Sequence, residues 1–249
     1  MRKRGPWDGM LAIVHFNWPF CVVALLVLLA GLAGMSGGGF PALGSGLIVL
    51  GCWWFLIGSL GVSHWVYDRS DLYQWAWLSR ALRNATPDKL LLCHSGFDEA
   101  SEMLKPLFPA AKWTVLDHFD PAIVTEASIR RARKRFPPTP CTVAAKYDNW
   151  PPANGTQDVV FGLLAIHELR TVAERAAWFR EAGRCLVENG TVLLVEHVRD
   201  PANFLAFGPG FLHFHSVGSW RNSWAAAGFI QIDHFRITPF VRVFVLQLK

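Results

Sequence analysis

Between Asp8 and Asp68 the chain carries no Asp, Glu, Lys or Arg. That gap holds two apolar runs, Trp18 to Met35 and Leu43 to Val62, joined by the Gly/Pro segment Ser36-Gly37-Gly38-Gly39-Phe40-Pro41. A helix that crosses a bilayer needs about 20 predominantly apolar residues, and each run is close to that length. A helical hairpin buried in a soluble core is the alternative, and the uncharged length argues against it. A cleaved leader would leave a polar mature start, whereas here a second apolar run follows at once. Residues 1–66 are therefore expected to form a retained two-helix transmembrane anchor. Residues 67–88 read as an amphipathic connector helix, with Leu72, Trp75, Leu78 and Leu82 near helical spacing. Residues 89–249 form a soluble domain large enough for its own core.

Charge sets the expected orientation. Arg2, Lys3 and Arg4 precede the first run, and Arg69, Arg80 and Arg83 follow the second. The positive-inside rule then puts both ends in the cytoplasm, with the chain in the inner (cytoplasmic) membrane. Trp18, Trp53, Trp54 and Trp65 are candidate interfacial anchors. The formal net charge is +5 without a Lys-rich tail, so the bilayer is the expected partner and nucleic acid is not. Arg130, Arg131, Arg133, Lys134 and Arg135 form either a solvated helix end or a basic patch facing lipid headgroups. The five cysteines stand at 21, 52, 93, 141 and 185 with no C-x-x-C, which indicates neither a disulfide framework nor a zinc ribbon. The soluble domain is thus expected in a reducing compartment.

Beyond Asp88 strands alternate with helices. Strands are expected at Lys89–Cys93, Trp113–Leu116, Thr142–Lys146, Gln157–Leu164 and Thr191–Val195. Helices are expected at Asp98–Leu107, Pro121–Phe136 and Thr171–Leu186, the last stopped by Glu188-Asn189-Gly190. That alternation implies an α/β fold with a doubly wound, mostly parallel sheet. Phe229–Ile237 and Phe240–Leu248 are separated only by Thr238-Pro239, so short a link that the pair must be antiparallel.

Ligands of doubly wound sheets sit at the carboxyl ends of the strands. Those ends read Cys93-His94-Ser95-Gly96-Phe97-Asp98, Asp117-His118-Phe119-Asp120, Tyr147-Asp148-Asn149-Trp150-Pro151, Leu164-Ala165-Ile166-His167-Glu168 and Glu196-His197-Val198-Arg199-Asp200. One acidic strand end is usually a cap or a turn. Five converging on one edge look more like a site.

With these residues the chain resembles the class I S-adenosylmethionine-dependent methyltransferases from about Leu90 to Leu248. The resemblance matches Asp117 to the acidic residue that binds the ribose hydroxyls, and Asp148 to the acidic residue near the adenine amine. Asp158-Val159-Val160-Phe161-Gly162-Leu163-Leu164 looks like the fourth-strand motif of that family. Leu186-Val187-Glu188-Asn189-Gly190-Thr191-Val192 resembles its helix-to-strand turn, and the terminal hairpin fits as well. It implies S-adenosylmethionine as cofactor, held by His94, Gly96, Asp98, Asp117, His118, Asp148 and Leu164. The chain departs at the first loop, where three spaced glycines are expected and only Gly96 is present. Glycines let backbone approach a ligand closely, so their loss bears on the cofactor's pose.

His167-Glu168 falls where the family places residues facing substrate. His167-Glu168-Leu169-Arg170-Thr171 lacks the second His of H-E-x-x-H, which excludes a zinc protease. His167 can serve as general base with Glu168 beside it, or Glu168 can simply cap the next helix while His167 packs. Glu196, His197, Phe207, His213 and His215 are the candidate substrate residues. The segment Phe207-Gly208-Pro209-Gly210-Phe211-Leu212-His213-Phe214-His215 reads as a flap over the pocket or as an ordinary surface loop. No metal is assigned. A divalent ion among Glu196, His197, Asp117 and Glu168 is the alternative.

The expected activity is methyl transfer to a hydrophobic, membrane-resident small-molecule acceptor such as a quinone, an isoprenoid or a lipid. One alternative is an S-adenosylmethionine-using quinone amination of the rhodoquinone-forming type, a likeness carried by the poor glycine loop and the His-Glu pair. Another is a non-catalytic membrane module.

Overall fold

The computed structural model describes residues 4–36, 39–124 and 126–249; Arg2, Lys3 and the Gly37-Gly38 pair of the link lie outside the described residues. Apolar sequence at the amino terminus produces helices α1 (Asp8–Phe16), α2 (Trp18–Met35) and α3 (Gly39–Trp53). The last continues through a wide turn at Trp54–Gly58, α4 (Ser59–His64) and a second wide turn at Trp65–Arg69. Two stretches, Trp18–Met35 and Ala42–Tyr73, are long and apolar enough to cross a membrane, with mean hydropathies of 2.3 and 1.8. The first spans about 27 Å at 1.5 Å per residue, near the thickness of a hydrocarbon core. Almost none of either stretch is buried, so the helical hairpin is not the core of a soluble domain. Leu25, Leu26, Leu43, Leu47 and Leu50 all stand half or more exposed. The two helices pack closely where a small residue permits it: a Cβ on Gly31 would lie 2.9 Å from Val49 Cγ2.

The single connector helix expected over Tyr67–Arg83 does not form. Ser70 caps a short turn at Asp71–Tyr73, Trp75 adopts a left-handed backbone, and only α5 (Trp77–Ala81) is α-helical. The cause is tertiary packing overriding local periodicity. Leu72, Trp75, Trp77, Leu78 and Leu82 are buried against one face of the sheet, and the Trp77 indole donates to the Leu72 carbonyl. The connector belongs to the core.

Seven strands follow: β1 (Lys89–His94), β2 (Lys112–Asp117), β3 (Thr142–Ala144), β4 (Gln157–Leu163), β5 (Leu186–His197), β6 (Phe229–Thr238) and β7 (Val241–Leu248). Their order is β3-β2-β1-β4-β5-β7-β6, with β1 to β5 parallel and β7 antiparallel to both of its neighbours. The doubly wound reading with an antiparallel end therefore holds. Side chains alternate between faces. Leu91, Cys93, Val160 and Leu194 pack on the aromatic residues of α8 (Val172–Cys185) and α10 (Val217–Ala225), chiefly Trp178, Phe179, Trp220 and Trp224. Leu90, Leu92, Phe161 and Leu193 pack on the connector and α6 (Ser101–Leu104).

Several boundaries move for local reasons. Asp98 accepts from the Ala100 and Ser101 amides, so α6 starts three residues later than expected. Asp120 turns the chain through the Ala122 amide, and α7 spans only Ala127–Arg135. Thr171 and Glu174 make a reciprocal capping box at the start of α8, so Glu168 is not the cap of that helix. The turn after α8 puts Asn189, not Gly190, in the left-handed region. The hairpin link is Pro239-Phe240, because Thr238 stays in β6 and its hydroxyl accepts from the Phe240 and Val241 amides. Between β5 and the hairpin lie α9 (Pro201–Phe207) and a 3₁₀ segment, Gly208–His213.

Candidate active site

Strand order reverses between β1 and β4, and a crevice opens at their carboxyl ends. His94, Ser95, Phe97 and Asp98 line it after β1, Leu163, Leu164, Ala165 and Glu168 after β4, and Tyr73 and Trp75 from the connector. Its cavity proper is small, about 60 Å³, and the rest opens to solvent. Leu164 holds φ of +51°, a strained value for a branched side chain, and donates its amide to the Val195 carbonyl.

The loop after β1 is tightly built. Gly96 has φ of +99°, and a Cβ there would lie 2.7 Å from Phe119 Cδ2 and 2.8 Å from Ile129 Cγ2. Asp117 Oδ1 accepts from the Gly96 amide at 2.9 Å and the Phe119 amide at 3.0 Å, and Arg133 bonds Oδ2. Both ring nitrogens of His94 and the Ser95 hydroxyl are buried without a hydrogen bond, and the nearest charge, Asp117 Oδ1, lies 3.5 Å from His94 Nδ1. Desolvation lowers the His94 pKa against the pull of Asp117. His118 bonds the Ala145 carbonyl and stacks on Trp150, and burial pushes its pKa down to about 4. Asp148 stands exposed in the turn after β3 and is not part of the crevice wall.

After β4 the chain makes a single 3₁₀ turn, Ile166–Glu168. Glu196, from the end of β5, is fully buried beneath it. Its Oε1 accepts the Ile166 and His167 amides, and its Oε2 lies 2.7 Å from His167 Nδ1. His167 Nε2 faces Glu168 Oε1 at 3.4 Å, and His213 Nε2 approaches the same oxygen at 3.4 Å. Desolvation opposes a charge on His167, but Glu196 and Glu168 outweigh it and raise the pKa to about 10. Glu168 is itself desolvated, yet the two imidazoles hold its pKa well below the carboxylate range. At neutral pH the His167 ring therefore keeps its proton and offers no lone pair to a substrate, which runs against a simple general base.

The other candidates divide. His215 is buried against Arg175 and the His167 and Leu169 carbonyls, with its pKa pushed down to about 3 by desolvation and then by Arg175. It fixes the loop that carries His167. His197 bonds the Tyr67 hydroxyl and the Phe240 carbonyl, and its ring lies edge-on to Phe207. The metal set considered from sequence does not assemble: Asp117 is engaged by Arg133, His197 by Tyr67, and Glu196 by His167 and backbone amides.

Sequence reasoning missed the wall contributed by the amino-terminal part. The Tyr73 hydroxyl donates to Glu99, Arg4 bonds the same carboxylate, and Phe16 packs edge-on against Phe97. Aromatic residues beside the anchor are the only trace of this in the sequence.

The molecule can now be set beside known structures. The mitomycin 7-O-methyltransferase MmcR superposes over 99% of this chain and 74% of its own, with a TM-score of 0.58 at 13% identity. A SAM-dependent methyltransferase from Aquifex aeolicus covers 73% of this chain and 94% of its own, with a TM-score of 0.50 at 14% identity. This is the class I methyltransferase fold. The 4+2 cyclase SpnF shares it, with a TM-score of 0.51 at 12% identity over 73% of this chain and 82% of its own. No protein-family profile and no curated protein sequence matches the chain.

Proposed function

We propose that this protein is a membrane-anchored S-adenosylmethionine-dependent methyltransferase acting on a hydrophobic acceptor drawn from the bilayer. The observation that carries the reading is the set of unpartnered polar atoms on His94 and Ser95, buried at the reversal point of a methyltransferase fold. Buried polar groups are normally hydrogen-bonded, and a polar ligand would complete these.

The residues fit the donor. Asp117 has accepted three hydrogen bonds and retains a lone pair for a ribose hydroxyl. Asp98 and Glu168 put carboxylates on the crevice wall, which suits a sulfonium cation. When bound, the donor supplies an electrophilic methyl group. His94 and Ser95 bind its polar edge, Gly96 lets the loop close on Phe119 and hold Asp117 through its amide, and the His167–Glu168 pair orients the acceptor. Holding both reactants in one crevice would supply much of the rate.

Phe204, Leu205 and Leu212 expose apolar side chains beside the second apolar helix, and the Trp54 indole bonds the Leu205 carbonyl at 3.0 Å. That continuity between helix and flap supports an acceptor arriving from lipid.

Calorimetric titration of the full chain in detergent with S-adenosylmethionine and S-adenosylhomocysteine tests the donor. His94→Ala should weaken both by about tenfold or more. Mass spectrometry of lipid extracts from membranes with and without the protein tests the acceptor, which should gain one methyl group. Arg133 on Asp117 and Phe119 against Gly96 favour a second reading, a fold kept without its nucleoside. Absence of binding at millimolar ligand would select it.

A further inference from the structure

We infer that His167, Glu168 and His213 form a three-ligand site for a divalent first-row transition metal, which Glu168 joins to the same crevice. The ligand atoms of these residues all lie within 4.8 Å of one another.

The distances have room for an ion. Charge-assisted N–H···O bonds run about 2.7–2.9 Å, as His167 Nδ1 to Glu196 does at 2.7 Å. The two contacts to Glu168 Oε1 are both 3.4 Å. Two ligands about 2.0–2.1 Å from a metal at tetrahedral angles stand roughly 3.4 Å apart. Both contacts to Glu168 match that spacing.

The outer groups are also those of a metal site. A ligating histidine usually gives its other ring nitrogen to a carboxylate, which fixes tautomer and direction. His167 gives Nδ1 to Glu196, while His213 Nδ1 lies 3.5 Å from Arg170 Nη1 and 3.7 Å from Glu126, so the flap ring is held by its neighbours without a carboxylate hydrogen bond. Both rings are thereby left with Nε2 toward Glu168. The ion takes the place of the proton on His167 Nε2, so binding releases a proton; two imidazoles, one carboxylate and a divalent ion then carry one positive charge, which the buried Glu196 carboxylate balances.

Two imidazoles and a carboxylate suit zinc, iron, cobalt or manganese better than calcium or magnesium. Three protein ligands leave positions open. Since Glu168 also lines the crevice, an open position would face an acceptor oxygen there and promote its ionisation. That role rests on the methyltransferase reading; the metal site itself does not.

The test uses the full chain in detergent without a polyhistidine tag, stripped with chelator and titrated with Co²⁺, Mn²⁺ and Zn²⁺. One equivalent should bind, and pulsed EPR of the Mn²⁺ form should show coupling to two imidazole nitrogens. His213→Ala, on a half-buried flap, should weaken binding about 100-fold or more. No binding below about 100 μM by any of the three ions, no imidazole coupling, or unchanged affinity in His213→Ala would overturn the site. Titrating S-adenosylmethionine into the same metal-free sample separates its failure from that of the nucleoside reading.

Discussion

Beneath the turn that follows β4, His167 Nδ1 meets Glu196 Oε2 at 2.7 Å. It links the carboxyl ends of two neighbouring parallel strands. Glu196 also receives the Ile166 and His167 amides, so one buried carboxylate organises the whole turn after β4.

Glu196→Gln should therefore act on charge and on shape. Removing the carboxylate leaves a desolvated imidazole with only Glu168 to support its proton. The His167 pKa should fall from about 10, as followed by NMR of the imidazole resonances. Breaking a buried ion pair from one side costs about 3 kcal/mol. The native pair stabilises the fold below the unfolded histidine pKa and loses that contribution as pH rises through about 10. Glu196→Gln should lower the unfolding temperature at pH 7 and remove most of that alkaline loss.

Gly96→Ala tests the loop after β1. The backbone is left-handed there, and the new methyl would meet Phe119 and Ile129 below 3 Å. Strain and overpacking together should cost about 2 kcal/mol. Because the Gly96 amide holds Asp117, donor binding should weaken along with stability. Scanning fluorimetry with and without S-adenosylhomocysteine would read both. An unchanged melting temperature would contradict the close approach described.

Acid should destabilise the domain through its buried neutral histidines. Burial depresses His118 and His197 from 6.5 to about 4. The unfolded chain therefore binds more protons between these values, and stability falls as pH drops from 6.5 to 4. Each residue contributes about 3 kcal/mol to that loss. A His118→Gln variant, which cannot titrate there, should show a shallower decline in urea melts across the same range.

The sheet was legible because strand and helix periods differ and because a two-residue link permits only an antiparallel pair. That His94, Asp98, Leu164 and Glu168 share one crevice was legible by position, since strand ends converge wherever the sheet is doubly wound; Asp117 lies behind its wall, bonded to the Gly96 amide and Arg133. The connector was not. Leu72, Trp75, Leu78 and Leu82 have helical spacing, yet Trp75 turns left-handed so that the indoles can cover the sheet. Nor was the His213–Glu168 approach legible, because it joins residues 45 positions apart across a flap. Neither Arg133 on Asp117 nor Tyr67 on His197 follows from local pattern. Such pairings are set by how elements pack.

Membrane orientation can be tested with a cysteine already in place. Cys141 is exposed beside β3, Cys93 and Cys185 are buried, and Cys21 and Cys52 lie in the apolar helices. If both apolar stretches cross the bilayer and the domain faces the cytoplasm, an impermeant maleimide should label inverted vesicles and leave intact spheroplasts unlabelled. Cys141→Ser should abolish the signal, because lipid shields the helix thiols and packing shields the sheet thiols. Carbonate washing should leave the protein in the membrane pellet, since two apolar helices of this length do not dissociate with pH or salt. Labelling of intact spheroplasts would invert the topology, and release by carbonate would remove the anchor.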